Sequence, residues 1–241
     1  MRSALRQPKW IIAGVVVLLL ATLFLRLGFW QLSRLDDRRL ANEIAETRLG
    51  AEPAPLEELL GEADGELGSI EFRRALAPGE WDTSEEVLIR SQVELGNAGF
   101  HVITPLVVAD GQAVLVNRGW IPLTMDTTPV DEAPPVQVDE IEGWVHRTET
   151  RPPLGAEEPD GDLDVFNRVD IDRIGSQLPY AVAPVYLMAM GEEDQLPIPA
   201  DPPDFSDEGP HLAYAIQWFG FALVGVVGFY FLARSKGGQG R

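Results

Sequence analysis

Once the carboxylates are set aside, few side chains are left that could bind a metal or carry acid–base chemistry. The 241 residues include no cysteine and three histidines, His101, His146 and His211. Without cysteine there is no thiolate zinc or iron–sulfur site, no disulfide and no thiol nucleophile. Three scattered histidines make a multi-histidine metal cage hard to build, but one neutral imidazole suffices for a single axial bond to an iron centre. His211 is the best placed for that role, the alternative being a histidine that rests at headgroup level beside Tyr214 and Trp218. It opens a long apolar run, and Tyr214 and Gln217 follow three and six residues on, so the three share one helix face with Trp218 beside them. That face is expected to look towards Trp30–Arg34 at the end of the first apolar run, because an imidazole and a carboxamide facing hydrocarbon are costly. Arg118 sits in Asn117-Arg118-Gly119-Trp120, where the glycine allows a bend or a close backbone approach. Such an arginine either ties two strands through a buried ion pair or pairs an anionic ligand in a bidentate manner. Met188 and Met190 share a strand face and offer two thioethers to Cu(I), although core packing is the commoner use of such methionines. His101 and His146 fall in strand patterns, where a hydrogen-bonded structural histidine is expected. No GxSxG, Walker, GxGxxG or HExxH motif is present, and acid pairs such as Glu85-Glu86 read as solvated loop charge. The expectation is a protein that is not an enzyme.

The distribution of charge says which elements hold these residues. Lys and Arg number 19 against 38 Asp and Glu, for a net charge of −19, which disfavours a nucleic-acid partner. Every acid lies between Asp36 and Glu208, and both ends carry only positive charge. Each end also holds an apolar run. Trp10–Leu25 spans about 24 Å as a helix and His211–Ala233 about 34 Å. Leu25-Arg26-Leu27-Gly28-Phe29-Trp30 is no small-residue cleavage site, so the first run reads as an uncleaved anchor, with Arg26 reaching the headgroups and Trp30 at the interface. The expected organisation is a cytoplasmic N-terminus at 1–9, a membrane helix at 10–30, an extracytoplasmic β-rich domain at 31–210, a second membrane helix at 211–233 and a cytoplasmic C-terminus at 234–241. The positive-inside rule sets that orientation, and a bacterial cell membrane in contact with its lipids is the expected address.

Within the outer segment, Gln31–Arg48 continues the first helix by its spacing of leucines. Leu56–Leu60 reads as a helical turn. Strands are predicted at Ile70–Leu76, Val87–Gln92, Phe100–Val108, Ala113–Trp120, Val136–His146 and Val182–Met190. Asp110-Gly111 marks a hairpin turn, and Pro105 argues for a bulge or edge in its first arm. Asp164–Leu178 starts extended and closes with a helical turn at Asp170–Ser176. The fold class expected is a membrane protein of α+β type, with two transmembrane helices flanking an antiparallel sandwich or small barrel. Pro-rich, acidic stretches at 122–135, 148–162 and 191–210 are loops and a stiff tether.

Four segments in order carry a family likeness: LGFWQLSRLDDR at Leu27–Arg38, VITPL at Val102–Leu106, VLVNRGWIP at Val114–Pro122 and HLAYAIQWFGFA at His211–Ala222. The chain resembles the surfeit locus protein 1, or Shy-type, family of cytochrome c oxidase assembly factors over nearly its whole length. The resemblance implies a role in haem a delivery or insertion, with the oxidase core subunit as partner and the haem a biosynthesis enzymes as further ones. It makes His211 the axial ligand to haem iron, with Tyr214, Gln217 and Trp30 around the group and Arg118 on a propionate. A haem-free scaffold for oxidase assembly and a two-span envelope sensor are the alternatives. The acidic insertions at 51–68, 148–162 and 191–210 look peculiar to this branch.

Overall fold

The computed structural model describes residues 8–94, 96–108, 111–136, 139–150, 155, 157–191 and 195–238. The N-terminal tail, Asp110 of the predicted turn, residues 137–138 of the strand predicted from Val136 and part of 148–162 lie outside the described residues, and the described part of that strand begins at Glu140. The chain divides into a helical unit made from its two ends, up to Ile44 and from Asp204, and a β unit, Ala45–Pro203.

In the helical unit, α1 (Pro8–Leu49) is unbroken for 42 residues, which confirms the outward continuation of the first helix. Its partner is α4 (His211–Gly238). Gly14, Phe24, Gly28 and Gln31 of α1 meet α4, Asn42 meets Asp207 just before it, and the buried Ala21 and Leu35 fall in the same register of three- and four-residue steps. That 3.5-residue period is the pattern of helices wound about one another in a left-handed sense. Small residues face large ones along it. Gly28 lies under the Phe219 ring, which any Cβ would overlap, and Gly14 lies under Phe229. Phe24 stacks on Trp218 with centroids 5.6 Å apart. Trp10 also meets Phe229, so the two helices are antiparallel. Both are long and apolar enough to cross a membrane, with mean hydropathy of 2.5 and 1.8 in their most apolar stretches. Beyond those stretches the seam turns polar. Arg39 grips Glu208 with two bonds of 2.8 Å, and Asn42 donates to the Asp207 carbonyl at 3.2 Å. The fully exposed Arg39–Glu208 pair raises the arginine's pKa and lowers the carboxylate's, yet solvent screening leaves it little weight in stability.

The β unit holds β1 (Ala54–Pro55), α2 (Leu56–Ala63), β2 (Arg74–Pro78), β3 (Glu80–Trp81), β4 (Val87–Glu94), β5 (Asn97–Val107), β6 (Ala113–Pro122), β7 (Glu140–Arg147), β8 (Val165–Phe166), α3 (Ile171–Gly175) and β9 (Val182–Ala189). The strands follow the order β1-β2-β7-β9-β6-β5-β4-β8, with β3 also on β5. Since β2 and β3 are one strand bent at Gly79, the circuit β2-β7-β9-β6-β5-β3 returns to its start, as in a small barrel. Gly79 is required at the bend, because a Cβ there would stand 2.6 Å from the Val107 carbonyl oxygen. The sheet is mixed, which corrects the antiparallel expectation. β9 inserts between β6 and β7 and runs parallel to β6, and β1-β2 and β4-β8 are also parallel pairs. Nothing in the strand patterns announces which neighbours a late strand chooses.

Local readings fared better. β5 and β6 form the predicted hairpin, and Gly111 has φ +73°. Pro105 sits where the outer neighbour of β5 changes from β4 to β3, so its missing N–H leaves no ladder bond unmade, while its carbonyl accepts from Asp82 at 2.9 Å. α3 starts at Asp170, whose carboxylate caps the Arg173 N–H. The strand predicted at Ile70–Leu76 begins only at Arg74. Phe72 takes φ +67° and donates to the Val145 carbonyl, which breaks the extended run. The core lies on the faces of this sheet, in clusters around Leu59 and Leu187, Phe166 and Ile174, and Leu88 and Ile121.

Gly119 on β6 has φ +120°, and a Cβ there would overlap the Ile198 carbonyl, because residues 198–199 cross β6 at this point. Gly119→Ala is therefore expected to destabilise the β unit by roughly 2–4 kcal/mol. Gly111→Ala, with positive φ but open space around it, should cost about 1–2 kcal/mol. Thermal unfolding of the two variants checks the ranking.

Candidate functional site

The Nδ1 atom of His211 lies 2.9 Å from Oε1 of Gln31. With the carboxamide oxygen facing the ring, Nδ1 donates and Nε2 keeps its lone pair. That is the usual arrangement of a ligating histidine, whose second nitrogen is fixed by an oxygen acceptor. The helix seam produces it, since Gln31 occupies the seam position next to Gly28, and His211 is the first residue of α4. On the Nε2 side stands Gly209, with φ +71°, its N–H bonded to the Asp207 carboxylate at 2.7 Å. A Cβ at 209 would stand 3.4 Å from Cδ2 and 3.5 Å from Nε2, in ordinary contact, so residue 209 lies beside that edge of the ring. The imidazole is half-buried, with Nδ1 held by Gln31 and Nε2 in no hydrogen bond among the described residues. This suits a single axial bond.

The remaining candidates are distributed differently. Trp30 is 55% exposed and Tyr214 47% exposed, flanking the pair without joining it. Gln217 is exposed, on the side of α4 away from α1. The expectation that His211 and Gln217 face Trp30–Arg34 together is thus met for His211 through Gln31 and not met for Gln217. The reason is the seam itself. Ala215, Trp218 and Ala222 turn to α1, and six residues from His211 is too far round the helix to follow them.

Arg118 belongs to the β unit and makes a buried network there. The β5–β6 register shifts between Val102 and Ile103, which leaves Arg118 as the extra residue of a bulge. Asn117 Oδ1 accepts from the Gly119 N–H at 3.0 Å and holds the bulge. The bulge aims the guanidinium at Glu86, 3.0 Å away, with side chains 5% and 1% exposed. Thr104 donates to Glu86 at 2.6 Å, the Val130 N–H at 2.8 Å, and Arg118 also donates to the Ala133 carbonyl. Burial lowers the guanidinium's pKa and Glu86 pulls it back up. Arg118 also borders a cavity of about 430 Å³ walled by Trp81, Met190, Leu196 and Pro197. Met188 instead packs into the core, so the two methionines are put to separate uses. Glu86 was missed by the sequence reading, which took it for loop charge. The NRGW bulge was the signal that a partner for arginine had to exist.

The other two histidines lie within the β unit. His101 Nδ1 meets Asn117 Nδ2 at 2.9 Å, and burial pushes its pKa down to about 4. His146 stacks on Tyr186 and is likewise lowered by burial.

Two outcomes follow. Arg118→Ala or Glu86→Ala should each cost roughly 3–5 kcal/mol, because one buried charge is left alone, while Arg118→Met with Glu86→Leu should be milder than either. Denaturant titration of the three variants measures this. For His101, the unfolded state takes a proton below pH about 6.5 while the folded state resists down to about 4. Its contribution is present above pH 6.5 and is lost as pH falls through that window. The melting temperature of the native protein should therefore fall more between pH 7 and 4.5 than that of His101→Gln.

Comparison with known proteins extends these observations. A family model described as the SURF1 family matches residues 18–223. A SURF1-like protein of Mycobacterium bovis is 30% identical over 243 residues, covering 96% of this chain and 86% of its own length. A SURF1-like protein of Rickettsia felis is 25% identical over 87% of this chain and 92% of its own length. Surfeit locus protein 1 of Arabidopsis thaliana is 32% identical over 48% of this chain and 35% of its own length.

Proposed function

The chain belongs to the SURF1 family, and we propose that it is a membrane-anchored, non-enzymatic assembly factor for haem–copper cytochrome c oxidase. In this reading it holds haem a transiently and presents it to the oxidase core subunit. The observation that carries the reading is His211, with Nδ1 fixed by Gln31 and Nε2 in no hydrogen bond among the described residues. The residues fit the group, since a neutral imidazole oriented by an oxygen acceptor is a competent axial ligand. His211 would hold the iron through Nε2. Gln31 would fix the ring's tautomer and direction. Trp30 and Tyr214 offer exposed aromatic surface on either side. Haem a would supply one iron–nitrogen bond at this site, and a lone protein bond suits a group that is to be passed on. Arg118, held by Glu86, then acts on the β unit's stability and not on a propionate.

The membrane address rests on the two apolar helices and on charge. In an antiparallel pair the helix ends at Lys9 and Arg234 lie on one side, and the sequence flanking both is basic and free of acids. Both termini are then cytoplasmic and the acidic β unit extracytoplasmic, in a bacterial cell membrane. The core subunit and haem a biosynthesis enzymes are the partners this role requires.

The test is the absorption spectrum of the detergent-purified protein from cells that make haem a. Wild type should carry haem. His211→Ala, an interfacial alanine that leaves the seam intact, should fold and insert but lose most of it. Gln31→Leu should retain haem in reduced amount, because the ring loses its acceptor without losing Nε2. Full haem and full oxidase assembly in His211→Ala would remove the ligand role and leave a haem-free scaffold. Wild-type levels of spectrally intact oxidase in a deletion strain with no paralogue would remove the assembly role as well.

A further inference from the structure

The outer face of α4 carries a polar group that nothing in the helix pair answers. Gln217 lies six residues, about 9 Å of helix, beyond His211, inside the apolar stretch. Its side chain is exposed and has no hydrogen-bonding partner among the described residues. At about 100° per residue it points roughly opposite to Ala215, Ala222 and Phe229, which pack towards α1. The positions above and below it on the same face are Ala213, Val224, Gly228 and Phe231, with Gly220 and Phe221 on its two flanks. Val224 is 69% exposed, and a Cβ built on either glycine would meet no atom within 4 Å. The face therefore sets a polar side chain among small residues and one valine, with Phe221 and Phe231 at its margins, and nothing among the described residues covers it.

We propose that this face docks a second copy of the same chain, with the two α4 helices side by side about a two-fold axis that passes between their Gln217 side chains. The proposal rests on α4 crossing a membrane. A carboxamide has both donor and acceptor, so two of them related by a two-fold axis satisfy each other with a pair of N–H···O bonds. A lipid chain answers neither group, and leaving the amide in hydrocarbon is costly. Copies of one chain share one orientation in a membrane, so their α4 helices run parallel and Gln217 meets Gln217 at the same depth. Gly220 and Gly228 flank Val224 by four residues on each side, which lets two backbones approach closely around the valine pair. α1 is left on the far side of each copy, with its seam to α4 undisturbed.

The absence of cysteine makes the test direct, since every introduced thiol is the only one. In full-length protein in native membranes, Ala213→Cys and Val224→Cys should give disulfide-linked dimers on mild oxidation. Ile216→Cys and Leu223→Cys, equally exposed but on another face, should not. In bilayers, dimerisation followed by energy transfer between labelled copies should weaken roughly three- to tenfold for Gln217→Leu and persist for Gln217→Asn, in line with the modest worth of polar pairs between membrane helices. Gly220→Leu with Gly228→Leu should weaken it further. Cross-linking strongest at Ile216→Cys or Leu223→Cys, cross-linking to a different protein at Val224→Cys, or dimerisation indifferent to Gln217→Leu would each overturn the proposal. Carbonate extraction of the same membranes separates the two failures. A chain that washes out loses the membrane reading, and the proposal with it. A chain that stays but does not pair on this face loses the docking proposal alone.

Discussion

The helical unit depends on one constraint, a seam along which α1 meets α4 in a register of three- and four-residue steps. The seam mixes three chemistries in sequence. Glycine and alanine against phenylalanine and tryptophan fill the apolar length. Gln31 and His211 make the first polar contact, and Arg39 and Asn42 then take up Glu208 and Asp207. A helix pair whose seam begins in ring packing and ends in charge pairing has only one workable register. A slide of one turn would carry Phe219 off Gly28 and His211 off Gln31. His211 is thus oriented by the packing of residues far along the same helices, and its chemistry depends on Gly28 and Phe219 as much as on Gln31.

In the β unit, order comes from a different device. A bulge at Arg118 turns one charged side chain inwards, and Glu86 meets it in a network that also collects Thr104 and the backbone at Val130 and Ala133. The same bulge needs Gly119, and the gap left by the missing side chain is where Ile198 crosses with two backbone bonds to Trp120. Three short-range oddities of sequence, an arginine, a glycine and a tryptophan in a row, therefore fix a β-bulge, a buried ion pair and the path of the segment that follows β9. The ion-pair reading of the arginine is the one this geometry supports, since its two terminal nitrogens donate to Glu86 and Ala133.

Much of this was legible because it is local. Alternating apolar residues located β4, β5, β6 and β9, Gly111 located a turn, and the leucines of Gln31–Arg48 carried α1 past its apolar stretch. What failed was non-local. Parallel β6–β9 pairing depends on where the chain returns after a long excursion, and no period in Val182–Ala189 records its neighbour. The strand predicted from Ile70 starts late because Phe72 takes a left-handed conformation that only its contact with β7 explains. At the site, helix spacing correctly placed His211, Tyr214 and Gln217 on nearby turns. Which of them faces α1 is set by a seam that recurs at 3.5 residues, and the heptad positions of Gly14, Ala21 and Gly28 hold that information in small residues that hydropathy alone passes over.

The central claim is that α1 and α4 pair antiparallel in this register and so bring Gln31 to His211. Because the chain has no cysteine, paired thiols can test it in intact membranes. Gly28→Cys with Phe219→Cys, two positions in direct contact across the seam, should form an intramolecular disulfide in high yield. Gly28→Cys with Leu223→Cys, one turn away and facing outwards, should not. Equal yields from both pairs, or none from the first, would contradict the register and with it the positioning of His211.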